Sequence, residues 1–168
     1  MIKVNLSALT HAKVGTRSST VLDLGHVVVD DIELAFLRGT LEFTRVDNGI
    51  LVQGILDSAV KTECIRCLTP FFSPIRIELE DVISLPGSEL TSEQPVRVHE
   101  DGWVDFSPLI RQYAWVNLPL NPVCSPDCQG LCPVCGENRN LGECHCDTEP
   151  STDPRWSVLK ELKDSVSP

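Results

Sequence analysis

The spacing of cysteines constrains this chain more than any other feature. Eight cysteines occur in 168 residues, and six of them crowd into Cys124-Ser-Pro-Asp-Cys128-Gln-Gly-Leu-Cys132-Pro-Val-Cys135-Gly-Glu-Asn-Arg-Asn-Leu-Gly-Glu-Cys144-His-Cys146. The other two, Cys64 and Cys67, form a separate CxxC far upstream. A segment so rich in thiols, glycine and proline has little apolar surface to bury, so a crosslink must hold it. Zinc meets that need by geometry. Four thiolates at about 2.3 Å from one ion lie about 3.8 Å from each other, and a two-residue spacer in a tight turn delivers two of them with little strain.

In Cys132-Pro133-Val-Cys135-Gly136 the proline restricts one backbone angle. The glycine can take positive φ, so that backbone N–H groups point at sulfur. Cys144-His145-Cys146 completes the set after an eight-residue excursion through the turn formers Asn138, Asn140 and Gly142. One site is therefore expected from Cys132, Cys135, Cys144 and Cys146. Ser125-Pro126 reads as the N-cap and first position of a single helical turn that puts Cys124 and Cys128 on one face. Joined to Cys64 and Cys67, they make a second four-thiolate site that ties the first half of the chain to the second.

Other readings of the thiols fit less well. Disulfides belong to oxidising compartments, and residues 1–9 carry no cleavable signal pattern, so the expected location is the cytoplasm. A thioredoxin-type CxxC is one motif at a strand–helix junction, not several close pairs. An iron–sulfur cluster uses the same four donors and is the rival cofactor, but ferredoxin-type cysteine runs are missing, which favours Zn2+. His145 is a possible substitute ligand and is read as a solvated residue between two ligands. His11, His26 and His99 stand alone and are read as surface or ordinary core residues.

A 42% hydrophobic share in a chain of this length supplies one core, with or without an appended module. No stretch approaches the roughly 18 apolar residues of a membrane span. Formal charge is −10, and two four-thiolate zinc sites at −2 each would take it to about −14. Such a balance is a poor footprint for nucleic acid, whose condensed counterions are displaced by cations, and it suits a basic partner.

Period-2 alternation is clearest at Leu37, Gly39, Leu41 and Phe43, then after Asp47-Asn48-Gly49 at Gly54, Leu56, Ser58, Val60, Thr62 and Cys64. This predicts a hairpin running directly into the first CxxC. Ile75, Ile77 and Leu79 predict a third antiparallel strand after Pro70-Phe-Phe-Ser-Pro74, and Ile2-Lys-Val-Asn-Leu6 a short opening strand followed by a polar stretch through Gly15 and Ser18-Ser19. Residues 86–100 read as a polar, acidic loop expected to be mobile. Ser107 is the predicted N-cap and Pro108 the first position of a helix with an apolar stripe at Leu109, Ile110, Tyr113 and Ala114. Pro119 and Pro122 follow that helix, and Trp115 reads as a packing residue with no binding role. Asp153-Pro154 opens a short amphipathic helix carrying Trp156, Val158, Leu159 and Leu162, expected to dock on the body of the protein.

The expected class is α+β: an antiparallel β meander or barrel-like sheet with a few short helices and a C-terminal Cys-rich zinc-binding module. Residues 1–122 would form the β body and residues 123–168 the zinc module and terminal helix, as one compact unit bridged through Cys64 and Cys67. Signatures of enzymes are missing: no G-x-S-x-G, H-E-x-x-H, Walker loop or G-x-G-x-x-G occurs. A zinc deaminase would need H-x-E and P-C-x-x-C, whereas His99 directly precedes Glu100 and Leu131 precedes Cys132. Four thiolates also close the coordination sphere that a catalytic zinc keeps open.

Several motifs in linked order resemble one family. They are Glu63-Cys64-Ile-Arg-Cys67-Leu-Thr-Pro70-Phe71; Leu118-Pro119-Leu-Asn-Pro122-Val-Cys124; Gly130-Leu-Cys132-Pro-Val-Cys135-Gly136-Glu-Asn138; Cys144-His-Cys146; and Asp153-Pro154-Arg155-Trp-Ser-Val-Leu159. Together they resemble the YceD family of large ribosomal RNA subunit accumulation proteins, from about Ile32 onward. The resemblance implies a bacterial or plastid protein that supports biogenesis of the large ribosomal subunit and accumulation of its RNA. Combined with the charge, it leads to an expected non-enzymatic zinc-binding protein. Its partner would be a basic ribosomal or assembly protein, with rRNA reached indirectly and no membrane or small-molecule substrate. The alternatives are a thiol-based redox or zinc sensor and an RNA-processing or nucleotide-acting enzyme.

Overall fold

In the computed structural model, which describes residues 1–86, 96–142 and 144–146, three fifteen-residue strands dominate. These are β4 (Ile32–Val46), β5 (Gly49–Glu63) and β6 (Pro70–Ser84). Asp47 and Asn48 turn β4 into β5, with Val46 opposite Gly49, and β5 pairs with β6 from Gly49–Ser84 to Glu63–Pro70. The predicted alternation is realised: Leu37, Leu41, Phe43, Leu56, Ile77 and Leu79 are buried, while Arg38, Glu42, Asp57, Arg76 and Glu78 face water.

Two further strands run against β4. They are β2 (Arg17–Leu24), opposite residues 37–44, and β3 (Val27–Val29), opposite residues 32–34. The sheet order is β2-β4-β5-β6 with β3 beside β4. β2 falls where a polar stretch was expected. An outer strand with a single buried residue, Leu22, shows no apolar alternation to read. In the pairing of β4 with β5 the register shifts between Leu34 and Leu37, and Ser58 donates its hydroxyl to the Phe36 carbonyl there at 2.5 Å. The buried serine thus satisfies an acceptor that the bulge removes from the ladder.

The barrel-like part of the expectation does not hold. Among the described residues β2 pairs only with β4, and β6 among the strands only with β5, so the sheet is open. Pro70 and Pro74 lie within β6, where they have no N–H to donate, a composition suited to an outer strand and not to closure. A second layer covers the inward face instead. It contains a two-stranded ribbon of β1 (Lys3–Asn5) and β7 (Trp103–Asp105), the short helix α1 (Ser7–Thr10) and helix α2 (Ser107–Asn117). Phe106 meets Phe43 with ring centroids 5.9 Å apart, and Leu109, Ile110 and Ala114 complete the shared core. Each such fully buried large side chain contributes about 1.5–3 kcal/mol relative to exposure.

Three other details differ from the expectations. Ser107 is the first residue of α2 and not its N-cap. Its N–H donates to Asp105 Oδ1 at 2.9 Å, while its own hydroxyl accepts the Ile2 N–H at 2.9 Å. The serine therefore anchors the start of the chain; Phe106 is the N-cap, and Asp105 accepts the N–H of the first helical residue. In the expected acidic loop, Val96 and Val98 are buried and Val98 N–H donates to Ser84 O at 3.1 Å, so its final part belongs to the core. Trp115 stands half-exposed on α2, off the buried stripe. The helix expected after Asp153 lies outside the described residues. The chain divides into two units, Met1–Cys128 and Gln129–Pro168.

Two glycines stand opposite leucines in the pairing of β4 with β5. Gly39 (φ +154°) faces Leu56 and Gly54 faces Leu41 on the neighbouring strand. A Cβ at Gly39 would collide with the Ile55 carbonyl, and one at Gly54 with the Thr40 carbonyl; the facing leucine Cδ2 atoms already come within 2.9 Å of those places. Because backbone cannot yield as a side-chain tip can, Gly39→Ala is expected to cost about 2–3 kcal/mol, read as a lower urea midpoint. Gly25→Ala, where a Cβ meets nothing within 4 Å, should change stability by less than about 0.5 kcal/mol.

Candidate metal centres

The first CxxC forms the tip of the β5–β6 hairpin. Cys64 N–H donates to Thr69 O (3.1 Å), Leu68 N–H to Cys64 O (2.9 Å) and Arg66 N–H to Cys64 Sγ (3.4 Å). The second pair, Cys124 and Cys128, lies in the irregular segment after α2. The expected helical turn is there a tighter one, with Cys128 N–H donating to Ser125 O at 3.1 Å. Knuckle and segment are stitched together by Ile65 N–H to Pro122 O (3.0 Å) and by Arg66 Nη1 to the carbonyls of Pro126 (3.4 Å) and Cys128 (3.3 Å).

This brings Cys64 Sγ to 3.8 Å from Cys128 Sγ and Cys67 Sγ to 3.6 Å from Cys124 Sγ, with all four sulfurs within 4.8 Å of one another. Those separations are far too long for disulfides, and all eight cysteines are free. They match the spacing of about 3.8 Å that a tetrahedral four-sulfur site requires.

The second set lies wholly in the other unit. Cys132, Cys135, Cys144 and Cys146 also place their sulfurs within 4.8 Å of one another. The knuckle repeats the first bond for bond: Cys132 N–H to Glu137 O (2.8 Å), Gly136 N–H to Cys132 O (2.9 Å), Val134 N–H to Cys132 Sγ (3.4 Å). Asn138 and Asn140 organise the excursion between the pairs. Asn138 Oδ1 accepts from Asn140 N–H (3.0 Å), and Asn140 Oδ1 accepts from Gln129 N–H (2.9 Å). His145 is exposed, and no histidine joins either described set. Elsewhere, His26 Nε2 lies 3.0 Å from Glu33 Oε1.

The electrostatics of each set suit a cation. Burial opposes ionisation of Cys64, yet the backbone N–H groups of Cys124, Cys67 and Arg66 outweigh it and bring the thiol down to about 6. At Cys132 the N–H groups of Cys135 and Val134 do the same, again to about 6. Desolvation of its sulfur, with Cys67 and Cys128 alongside, pushes Cys124 up to about 12, although the residue as a whole is exposed. The neighbouring Cys135 sulfur pushes Cys146 up to about 12 as well. Sulfurs this close cannot all be anionic unless positive charge replaces the retained protons, and a divalent ion supplies it. The donor set therefore fits a metal, and four sulfurs fill a tetrahedral shell and leave no position for substrate.

One participant carried no sequence signal. Leu68 holds φ +58° at the position where the second knuckle has Gly136 at +75°. Only comparison of the two CxxC segments, Cys67-Leu68 against Cys135-Gly136, would have exposed it. Relieving that left-handed leucine by Leu68→Gly should raise stability by roughly 0.5–1 kcal/mol in thermal melts of the metal-loaded protein, the conformational relief exceeding the added chain entropy. Gly136→Ala should lower it by about 1 kcal/mol. Cys64→Ser should remove one of two metal equivalents per chain by elemental analysis and lower the Tm, while Cys132→Ser should leave the first equivalent in place.

The chain matches the family model described as large ribosomal RNA subunit accumulation protein YceD over residues 52–163, a region that encloses all eight cysteines. An uncharacterised protein of Mycobacterium tuberculosis (strain ATCC 25618 / H37Rv) is 34% identical over 131 residues, covering 76% of this chain and 62% of its own length. One of Mycobacterium leprae (strain TN) is 30% identical over 125 residues, covering 73% of this chain and 57% of its own length. This chain thus spans about three fifths of the length of these relatives. No solved structure matches it. On the extent of the family match, the chain belongs to the YceD family of large ribosomal RNA subunit accumulation proteins.

Proposed function

We propose that this protein is a non-enzymatic, zinc-braced binding protein of the cytoplasm. It supports accumulation of large-subunit ribosomal RNA by holding a basic ribosomal or assembly protein. The observation that carries the reading is the family match, whose extent coincides with the two four-cysteine sets. All eight cysteines are the proposed ligands: Cys64, Cys67, Cys124 and Cys128 in one site, and Cys132, Cys135, Cys144 and Cys146 in the other.

Zinc is favoured over an iron–sulfur cluster by spacing. Four sulfurs all within 4.8 Å of one another in each set suit one ion at their centre, whereas a cluster interposes its own irons and sulfides and holds cysteines on different irons further apart. A protein partner is favoured over RNA by charge, since a chain at −10 repels phosphate and attracts lysine and arginine. No helix among the described residues is long and apolar enough to cross a membrane.

A second reading, a thiol-based redox or zinc sensor, draws on the exposure of Cys124 and Cys135, which an oxidant can reach. Release of zinc by mild peroxide, reversed by reductant, would favour the sensor; retention of the metal favours the scaffold.

The purified, metal-loaded protein should retain basic large-subunit ribosomal proteins at low salt and release them as salt rises, while naked rRNA passes unbound. Tight, salt-sensitive capture of rRNA without any protein partner would overturn the proposal. Metal analysis should return two zinc ions per chain; iron in stoichiometric amount would replace the cofactor assignment.

A further inference from the structure

We propose that the groove between the Cys64/Cys67 knuckle and the segment following α2 seats the basic partner. Its ligand is an extended peptide with an aliphatic or proline anchor flanked by lysine or arginine. The proposal rests on the protein-partner reading above and assigns that partner a surface.

The groove, of about 640 Å³, is walled by Ile65 on one side and by Leu118, Leu120 and Pro122 on the other, with Trp115 and Glu63 also lining it. Its apolar members are not surplus core. Leu120 is 97% exposed, Ile65 53% and Trp115 50%, whereas the buried stripe of α2 is made by Leu109, Ile110 and Ala114. Apolar side chains gathered in one concavity, unlike ones scattered singly, mark a place where another apolar group is meant to sit.

The groove is also held in shape before anything binds. The Ile65 N–H donates to Pro122 O at 3.0 Å and joins the two walls. Trp115 stands on α2 four residues after Arg111, which clamps the Asp31 carboxylate through two bonds of 2.5 and 2.8 Å. An aromatic with two side-chain torsions loses little entropy on binding, which is why such residues anchor interfaces.

Charge selects the occupant. Glu63 is the sole charged residue among the described lining residues, none of which is a lysine or arginine. Arg66, next to Ile65, has its guanidinium engaged by the carbonyls of Pro126 and Cys128. The adjoining four-thiolate site carries −2 with a divalent ion bound. A cation beside the anchor would find Glu63 and the face of Trp115 within one concavity, while a phosphate would meet only negative potential.

The test uses the full-length, metal-loaded protein and a set of fluorescent peptides tiling the large-subunit ribosomal proteins of the same organism. Each peptide is paired with a version whose lysines and arginines are replaced by glutamate. Peptides that bind should contain an aliphatic or proline residue between cations, and their charge-reversed versions should not bind. Leu120→Asp and Trp115→Ala should weaken binding about tenfold or more, while Ile55→Asp, outside the groove, should not; circular dichroism and metal content report whether each variant folds. Binding that Leu120→Asp leaves intact would overturn the groove and spare the partner reading, as would intact ribosomal proteins binding where no peptide does. Failure of intact proteins and peptides alike would overturn both. A dimer abolished by Leu120→Asp would give the groove to a second copy and overturn the proposal.

Discussion

The N–H···S knuckle at the tip of the β5–β6 hairpin is the constraint on which the rest of the larger unit depends. Residues 118–128 contain no strand and no helix of their own beyond one tight turn, and long irregular segments do not stay ordered without partners. Theirs include the Ile65 N–H, the Arg66 guanidinium and the sulfurs of Cys64 and Cys67, while Leu118 packs against the main core. The polar and sulfur contacts named here come from the four residues Cys64 to Cys67. An ion there would join positions about 60 residues apart in sequence, and the longer the loop so closed, the larger the loss of freedom imposed on the unfolded chain.

The two knuckles show how one backbone device is stabilised in two settings. At Cys64 the turn is gripped by strands of fifteen residues whose ladder runs to Glu63–Pro70. A turn over-determined in this way can force Leu68 into left-handed backbone, at about 1–2 kcal/mol. At Cys132 no strand grips the turn; a single bridge pairs Leu131 with Asn138. There the positive-φ position is glycine, Pro133 stiffens the spacer, and the Asn138–Asn140 pair fixes the return. Strain is tolerated where the sheet enforces it and is absent where nothing would.

Legibility in the sequence followed the strength of the local signal. The β4–β5–β6 meander was readable because each strand buries one face, and the grouping of cysteines into two fours because short spacers, two residues in each CxxC, bring the sulfurs in pairs. β2 was not readable, since only Leu22 is buried along its eight residues. The β1–β7 ribbon could not be inferred either, because its three-residue strands are separated by about a hundred residues and pair only through the fold. An open sheet and a barrel share the same alternation, and the difference lies in what covers the inward face. The reassignment of Ser107 has the same origin: its hydroxyl serves Ile2, a partner 105 residues away that no capping rule contains.

Charge and coordination together narrow what a protein with these features can do for ribosomal RNA. Four sulfurs around one ion would leave no position from which it could polarise a phosphate, and a net charge of −10 disfavours an approaching phosphate. On the proposed reading the same acidity favours a cationic protein as partner. A body that keeps such a protein soluble, with its cations engaged and an apolar anchor sheltered, would influence the RNA without touching it. On this reading the set of Cys64, Cys67, Cys124 and Cys128 acts at one remove: it would hold the irregular segment after α2 in the shape that a partner recognises.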